Sequence, residues 1–175
     1  MKKIITLILL LVVLLPSQVL AATSTSTVDK LYFESYKDQV KEVKDAQKKL
    51  NDIYCTNVKA LTEKSKASTT RYNNAVKSKA TKEVLAKVKA ERDLDKKTLS
   101  SAKAKCSATV KTLKKKSDTA LKEIASYKAK VVTSIKNHLD GKDKLTEDDF
   151  TESVYKSLSE IESKFDAILE SLSAD

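Results

Sequence analysis

Ser78-Lys79-Ala80-Thr81 is a small polar tetrapeptide inside a stretch with neither glycine nor proline, from Ser17 to Asp140. Cys55 and Cys106 flank it symmetrically about a point inside it, between Ala80 and Thr81. A long helical hairpin that turns there, near 78–82, sets the two sulfurs opposite each other. An intramolecular disulfide between Cys55 and Cys106 is therefore expected, provided the chain reaches an oxidising compartment.

The residues on either side carry the pattern of two antiparallel helices. The first is expected to begin near Val28 or Asp29 and shows apolar residues at Phe33, Tyr36, Val40, Val43, Leu50, Tyr54 and Leu61. The steps are mostly threes and fours, the signature of one helical face, with Gln47 as an interruption. The second, from about Lys82 to Leu139, carries Leu85, Val88, Leu99, Cys106, Val110, Leu113, Leu121, Ile124, Tyr127, Val131 and Ile135. In an antiparallel hairpin, facing residues have position numbers with a constant sum. The cysteines give 161, Val40 with Leu121 gives 161, and Leu50 with Val110, Leu61 with Leu99 and Tyr72 with Val88 each give 160. Between Leu61 and Leu99 and the turn, Ser65, Ser68, Arg92 and Asp95 fall on the same stripes, which predicts a thin polar seam. One tension attends this register. Packed helix axes stand about 8–10 Å apart, whereas a disulfide brings Cα atoms to about 5.5–6 Å.

Asp140-Gly141-Lys142-Asp143-Lys144 is the clearest break in the chain, since Gly141 can take the left-handed conformation that ends a helix. A third helix follows over 146–173. Thr146 is its expected N-cap, Asp149 the capping partner three residues on, and Leu145 a staple against Phe150. Its seam is Val154, Leu158, Ile161, Phe165, Ile168 and Leu172, a heptad rhythm that would pack on the second helix. The fold class expected is all-α: a long antiparallel helical hairpin, a coiled-coil arm, with a third C-terminal helix completing a three-helix bundle at its base.

The N-terminus reads as an export signal. Lys2-Lys3 precede an apolar run from Ile4 to Leu15, and Val19-Leu20-Ala21 offers small residues for cleavage. Residues 1–21 are thus expected to be a signal peptide and 22–27 a flexible Thr/Ser leader. The remainder, 28–175, is read as a single elongated helical domain with 56–105 as a projecting arm. No transmembrane span is expected in the mature chain, and the location expected is secreted or extracellular.

Charge is unevenly spread. Residues 56–105 hold 14 Lys and Arg against 5 Asp and Glu, a net +9, whereas 141–175 hold 4 against 10, a net −6. A basic rod attracts polyanions. Lys77, Lys79, Lys82, Lys87 and Lys89, near the turn, are the candidate contacts. Only Arg71 and Arg92 in this region are arginines and only Tyr72 is aromatic, so neither bidentate phosphate recognition nor base stacking is encoded.

Catalytic and metal chemistry find little support. His138 is the only histidine, no nucleophile elbow accompanies it, and no phosphate-cradling glycine loop exists. The run from His138 to Phe150 echoes a calcium loop, but His138 and Lys142 occupy ligand positions and Asp143 replaces the turn glycine. No enzyme activity, cofactor or metal is expected. The leading expectation is a secreted, non-catalytic helical interaction or structural protein with a protein partner. The alternatives are a polyanion binder acting through the basic arm (glycosaminoglycan, nucleic acid, anionic lipid surface or cell-wall polymer) and a small hydrophobic-ligand carrier. A carrier would use Tyr32, Phe33, Tyr36, Tyr127 and Tyr155.

Overall fold

A computed structural model describes residues 24–173, so the signal peptide expected over 1–21 lies outside the described residues. Of the described residues 89% are helical, with no strand, and the fold is an all-α helical bundle. Among the described residues five helices follow in order: α1 Thr25–Tyr32, α2 Tyr36–Tyr54, α3 Thr56–Lys77, α4 Lys82–Leu139 and α5 Glu147–Leu172. The described residues divide into two compact units. Residues 24–44 and 117–171 form one, and residues 45–116 with 172 and 173 form the other.

The expected first helix is three helices. It starts earlier than Val28, because Ser24 is an N-cap whose hydroxyl accepts from the Thr27 amide at 3.1 Å. Capping hydroxyls satisfy amides that a helix start leaves open, so part of the Thr/Ser segment read as a leader is ordered helix. Val28, one turn in, is fully buried. The first interruption spans 33–35. Phe33 ends α1 with its amide on the Asp29 carbonyl, and the Ser35 carbonyl accepts from Gln39 as α2 begins.

In the unit of 24–44 and 117–171, that interruption gathers Asp29, Phe33 and Tyr36 around one lysine of α4. The Lys128 ammonium pairs with Asp29 at 2.7 Å and lies 4.9 and 4.6 Å from the centroids of Phe33 and Tyr36. Tyr36 also meets Phe165 of α5 edge-to-face at 5.6 Å. Ile124, Val131, Ile135, Val154, Ile161, Phe165 and Ile168 are buried, as their spacing predicts. Leu158 is only half-buried, a departure from the expected continuous seam.

The α4–α5 connection follows its local signals. Gly141 has φ +67°, the Lys142 amide bonds the Asn137 carbonyl at 2.7 Å, and the Gly141 amide bonds the His138 carbonyl at 2.9 Å. These two bonds form a Schellman motif. Thr146 caps α5 by accepting from the Asp149 amide at 3.2 Å and donating to the Asp149 carboxylate at 2.6 Å. The staple is different from expectation. Phe150 is buried, but it stacks on the His138 ring at 3.8 Å, and Leu145 stays exposed.

In the unit of 45–116, α3 and the first half of α4 run antiparallel in the expected register. Cys55 and Cys106 stand at disulfide distance with Cα atoms 5.4 Å apart. Cross-helix ion pairs Arg71–Glu91 and Lys64–Asp95 agree with that register to within two residues. The close approach has a local cost. The helix is interrupted at Cys55, where the Val58 amide bonds the Cys55 carbonyl one residue short of the α-helical partner. The turn also has the expected place and an unexpected conformation. Lys79 has φ +54°, and the Ala80 and Lys79 amides bond the carbonyls of Ala75 and Val76 at 3.0 and 3.1 Å. This is a second Schellman motif, with lysine where glycine is usual. Thr81 then opens α4, accepting from the Leu85 amide through its carbonyl at 2.9 Å.

Candidate functional site

The tertiary division sharpens the charge separation that the sequence suggested. Residues 45–116 hold 20 Lys and Arg against 7 Asp and Glu, a net +13. Residues 24–44 with 117–171 hold 12 against 16, a net −4. The basic unit is therefore a larger segment than the 56–105 arm.

Within this unit the acids are largely taken. Lys48 holds Asp45, Lys66 holds Glu63, Arg71 holds Glu91, Arg92 holds Asp93 and Lys64 holds Asp95. Among the described residues the five lysines chosen from sequence, Lys77, Lys79, Lys82, Lys87 and Lys89, are all exposed and in no ion pair. They do not share one face. At about 100° per residue, Lys89 lies on the same flank of α4 as Lys82, whereas Lys87 lies about 140° around. Lys77 ends α3, and Lys79 occupies the left-handed turn position.

The polar seam is arranged unlike a simple Arg–Asp pair. Asp95 is 4% exposed, with one carboxylate oxygen 3.2 Å from the Lys64 ammonium and the other buried without a hydrogen-bond partner among the described residues. The Ser68 hydroxyl, also buried, donates to the Ser65 carbonyl rather than to Asp95. Arg92 is seated on α3 and does not pair with Asp95. Its guanidinium carbon sits 4.0 Å from the Tyr72 ring centroid, and its Nε and terminal nitrogen donate to Asp93 at 2.9 and 2.6 Å. The hydrogen bonds it donates to Asp93, and the Tyr72 ring beneath, favour the charged guanidinium and raise its pKa further.

Most of the other sequence candidates are engaged by neighbours in the unit of 24–44 and 117–171. Tyr127 donates to Glu160 at 2.8 Å, which holds that carboxyl below its ordinary range. Tyr36 and Phe33 surround Lys128. Tyr32 is half-buried, and burial together with the nearby Glu147 charge raises its pKa. Tyr155 is exposed. Of the aromatic set proposed for a hydrophobic ligand, Phe33, Tyr36 and Tyr127 thus meet the chain's own charges and rings. His138 packs against Phe150 with Nδ1 2.8 Å from Asp143 and Nε2 3.5 Å from Glu147. Its hydrogen bond holds the Asp143 carboxyl below its ordinary range, assisted by the Leu145 amide. This is a tied helix terminus, with each polar atom serving the α4–α5 connection. Among the described residues no group of three or more His, Cys, Asp or Glu side chains is placed to hold a metal ion. Nor is any helix among them long and apolar enough to cross a membrane.

Comparison of the chain with known protein families, with curated proteins and with solved structures gives no match. The functional reading therefore rests on the residues themselves.

Proposed function

We propose that this chain is an exported, non-catalytic interaction protein whose working surface is the lysine-rich unit of residues 45–116, and that this surface binds polyanions. The observation that supports the reading is the confinement of the excess positive charge. A net +13 resides in one unit while the other carries −4. Solubility alone is served by mixed charge over the whole surface. Concentrating one sign on one unit instead creates a field that collects oppositely charged partners. The chemistry is that of lysine, a compact and strongly hydrated point charge, which suits charge-driven binding without demands on partner geometry. Export is supported by the n-region, apolar run and small-residue cleavage site at the N-terminus, and by the Cys55–Cys106 pair.

The test is retention of the mature protein on immobilised heparin, duplex DNA and phosphatidylserine vesicles at about 50 and 200 mM salt. Retention at the lower salt, lost steeply at the higher, is the expected outcome. Absence of retention on all three at the lower salt refutes the polyanion reading and leaves recognition of a protein partner through the helical surface. Mass analysis of protein recovered from culture medium checks export, with the chain expected to begin at Ala22 or Thr23.

A further inference from the structure

Four lysines of α4 recur every seven residues: Lys82, Lys89, Lys96 and Lys103. Seven residues fall only about 20° short of two full turns. The four therefore form one row along a flank of the helix, at about 10.5 Å per step and about 31 Å from first to last. All four are exposed, and among the described residues none is in an ion pair. The α4 segment that carries them is uninterrupted helix. Between them the exposed uncharged i+4 positions are Ala86 and Ser100, too small to cover the ammonium groups, while Leu85 and Leu99 at the i+3 positions are half-buried.

One acid interrupts this flank. Asp93 lies four residues after Lys89 and three before Lys96, the two spacings at which helix side chains meet. Left to itself it would neutralise the middle of the row. Arg92 takes it instead, through two hydrogen bonds to one carboxylate oxygen, while the guanidinium is seated on the Tyr72 ring of α3. The packing of α3 on α4 thus holds Arg92 where it occupies the one carboxylate able to quench Lys89 and Lys96.

We infer that the Lys82–Lys89–Lys96–Lys103 flank is a docking surface for a linear sulfated polysaccharide, kept free of internal pairing by the Tyr72–Arg92–Asp93 clamp. The inference rests on the polyanion reading above and narrows it to one face and one partner class. Charge complementarity and linearity select the partner. A straight row of point charges matches an extended polymer that bears anionic groups along its length. Base stacking, which strengthens single-stranded nucleic-acid binding, has no platform here because Tyr72 is covered by Arg92. Membrane insertion would need exposed apolar residues among the lysines, and the exposed uncharged i+4 positions there are Ala86 and Ser100, with Leu85 and Leu99 half-buried.

The experiment compares two quadruple variants of equal charge in the full mature chain. One replaces Lys82, Lys89, Lys96 and Lys103 by Gln. The other replaces Lys87, Lys97, Lys105 and Lys116, all exposed and on other faces of α4. Circular dichroism and thermal melting establish that both remain folded. Heparin affinity is measured by titration across a salt series, with N- and O-desulfated heparin and duplex DNA as comparison polymers. The row variant is expected to lose at least about tenfold in affinity and to reduce the slope of log affinity against log salt by about 3, as loss of four ion contacts requires. The off-row variant is expected to lose less than about threefold, with its slope nearly unchanged. Arg92→Gln is expected to weaken heparin binding more than Lys97→Gln, which removes the same charge, and Asp93→Asn added to Arg92→Gln is expected to restore it. Equal losses in the two quadruple variants overturn the row while the polyanion reading survives. Absence of binding by the unaltered protein overturns both. Binding of desulfated heparin or of DNA as tightly as heparin overturns the choice of partner.

Discussion

Replacing Cys55 and Cys106 by serine tests the architecture most directly. The bond joins residues 51 positions apart. In the chain-entropy account, closing a loop of that length restricts the unfolded chain enough to stabilise the fold by about 4 kcal/mol. A smaller effect opposes this. The disulfide holds the Cα atoms at 5.4 Å, and the chain between α2 and α3 is interrupted there, with the Val58 amide on the Cys55 carbonyl. Without the bond, α2 and α3 can join, and regular helix at this point recovers about 0.5–1.5 kcal/mol. The net expected loss is about 3 kcal/mol, or a fall in melting temperature of roughly 6–12 °C for a chain of this size. Circular dichroism at 222 nm during thermal melting, for the oxidised protein, the reduced protein and the double-serine variant, reads this out. The reduced protein and the variant should melt together, below the oxidised form. If all three melt within about 2 °C of one another, either the bond does not form or the unfolded chain is already restricted. If mass mapping then finds the bond in place, the loop-closure reasoning is refuted.

Three further predictions concern single sites. Phe165, 1% exposed and in edge contact with Tyr36, should cost about 3–5 kcal/mol when truncated to alanine, measured by urea unfolding. A loss below about 1 kcal/mol would show that α5 is not anchored there. Lys79→Gly should stabilise the protein by about 0.5–1 kcal/mol: the left-handed conformation costs a non-glycine residue about 1–2 kcal/mol, and glycine's added unfolded-state freedom returns part of it. Destabilisation in the same urea assay would rule out the left-handed turn. Asp143→Asn should destabilise the protein at neutral pH, with the difference shrinking in acid. The Asp143 carboxyl is held below its ordinary range by His138, so its contribution is full above the unfolded-state value and fades as pH falls through the lower folded value. Urea midpoints at pH 7 and at about pH 2–3 check this, and an equal difference at both would show that ionisation plays no part.

Legibility in the sequence followed how local each cause is. The Schellman turn at Gly141 and the Thr146 cap depend on residues within a few positions, and both were readable. The residue Lys79 was found at the right turn, yet its left-handed backbone was not foreseen, because no glycine or asparagine marked it. Ser24 was readable in principle as a hydroxyl three residues before the Thr27 amide, but a Thr/Ser tract resembles a leader more than a helix start. Among the binding candidates, proximity to the turn singled out Lys77, Lys79, Lys82, Lys87 and Lys89. Helical phase divides those lysines between faces, and the availability of the row depends on where Arg92 goes. Sequence phase placed Arg92 in the seam with Asp95. The Tyr72 ring across the helix pair seats it beside Asp93 instead.

What the sequence by itself determined was the helical class, the hairpin register and the pairing of Cys55 with Cys106. Apolar spacing of three and four, the absence of breakers over more than a hundred residues and a symmetric cysteine pair leave little freedom for another arrangement. The tertiary structure alone decided where the first helix breaks, which acids are occupied and how the charge divides between the units. Those outcomes turn on distances between residues far apart in the chain. The 5.4 Å approach at the cysteines interrupts the helix that periodicity would continue, and the lysine row stays free because a tyrosine on one helix holds an arginine on the other. Periodicity records which way a side chain faces. Packing determines what it meets there.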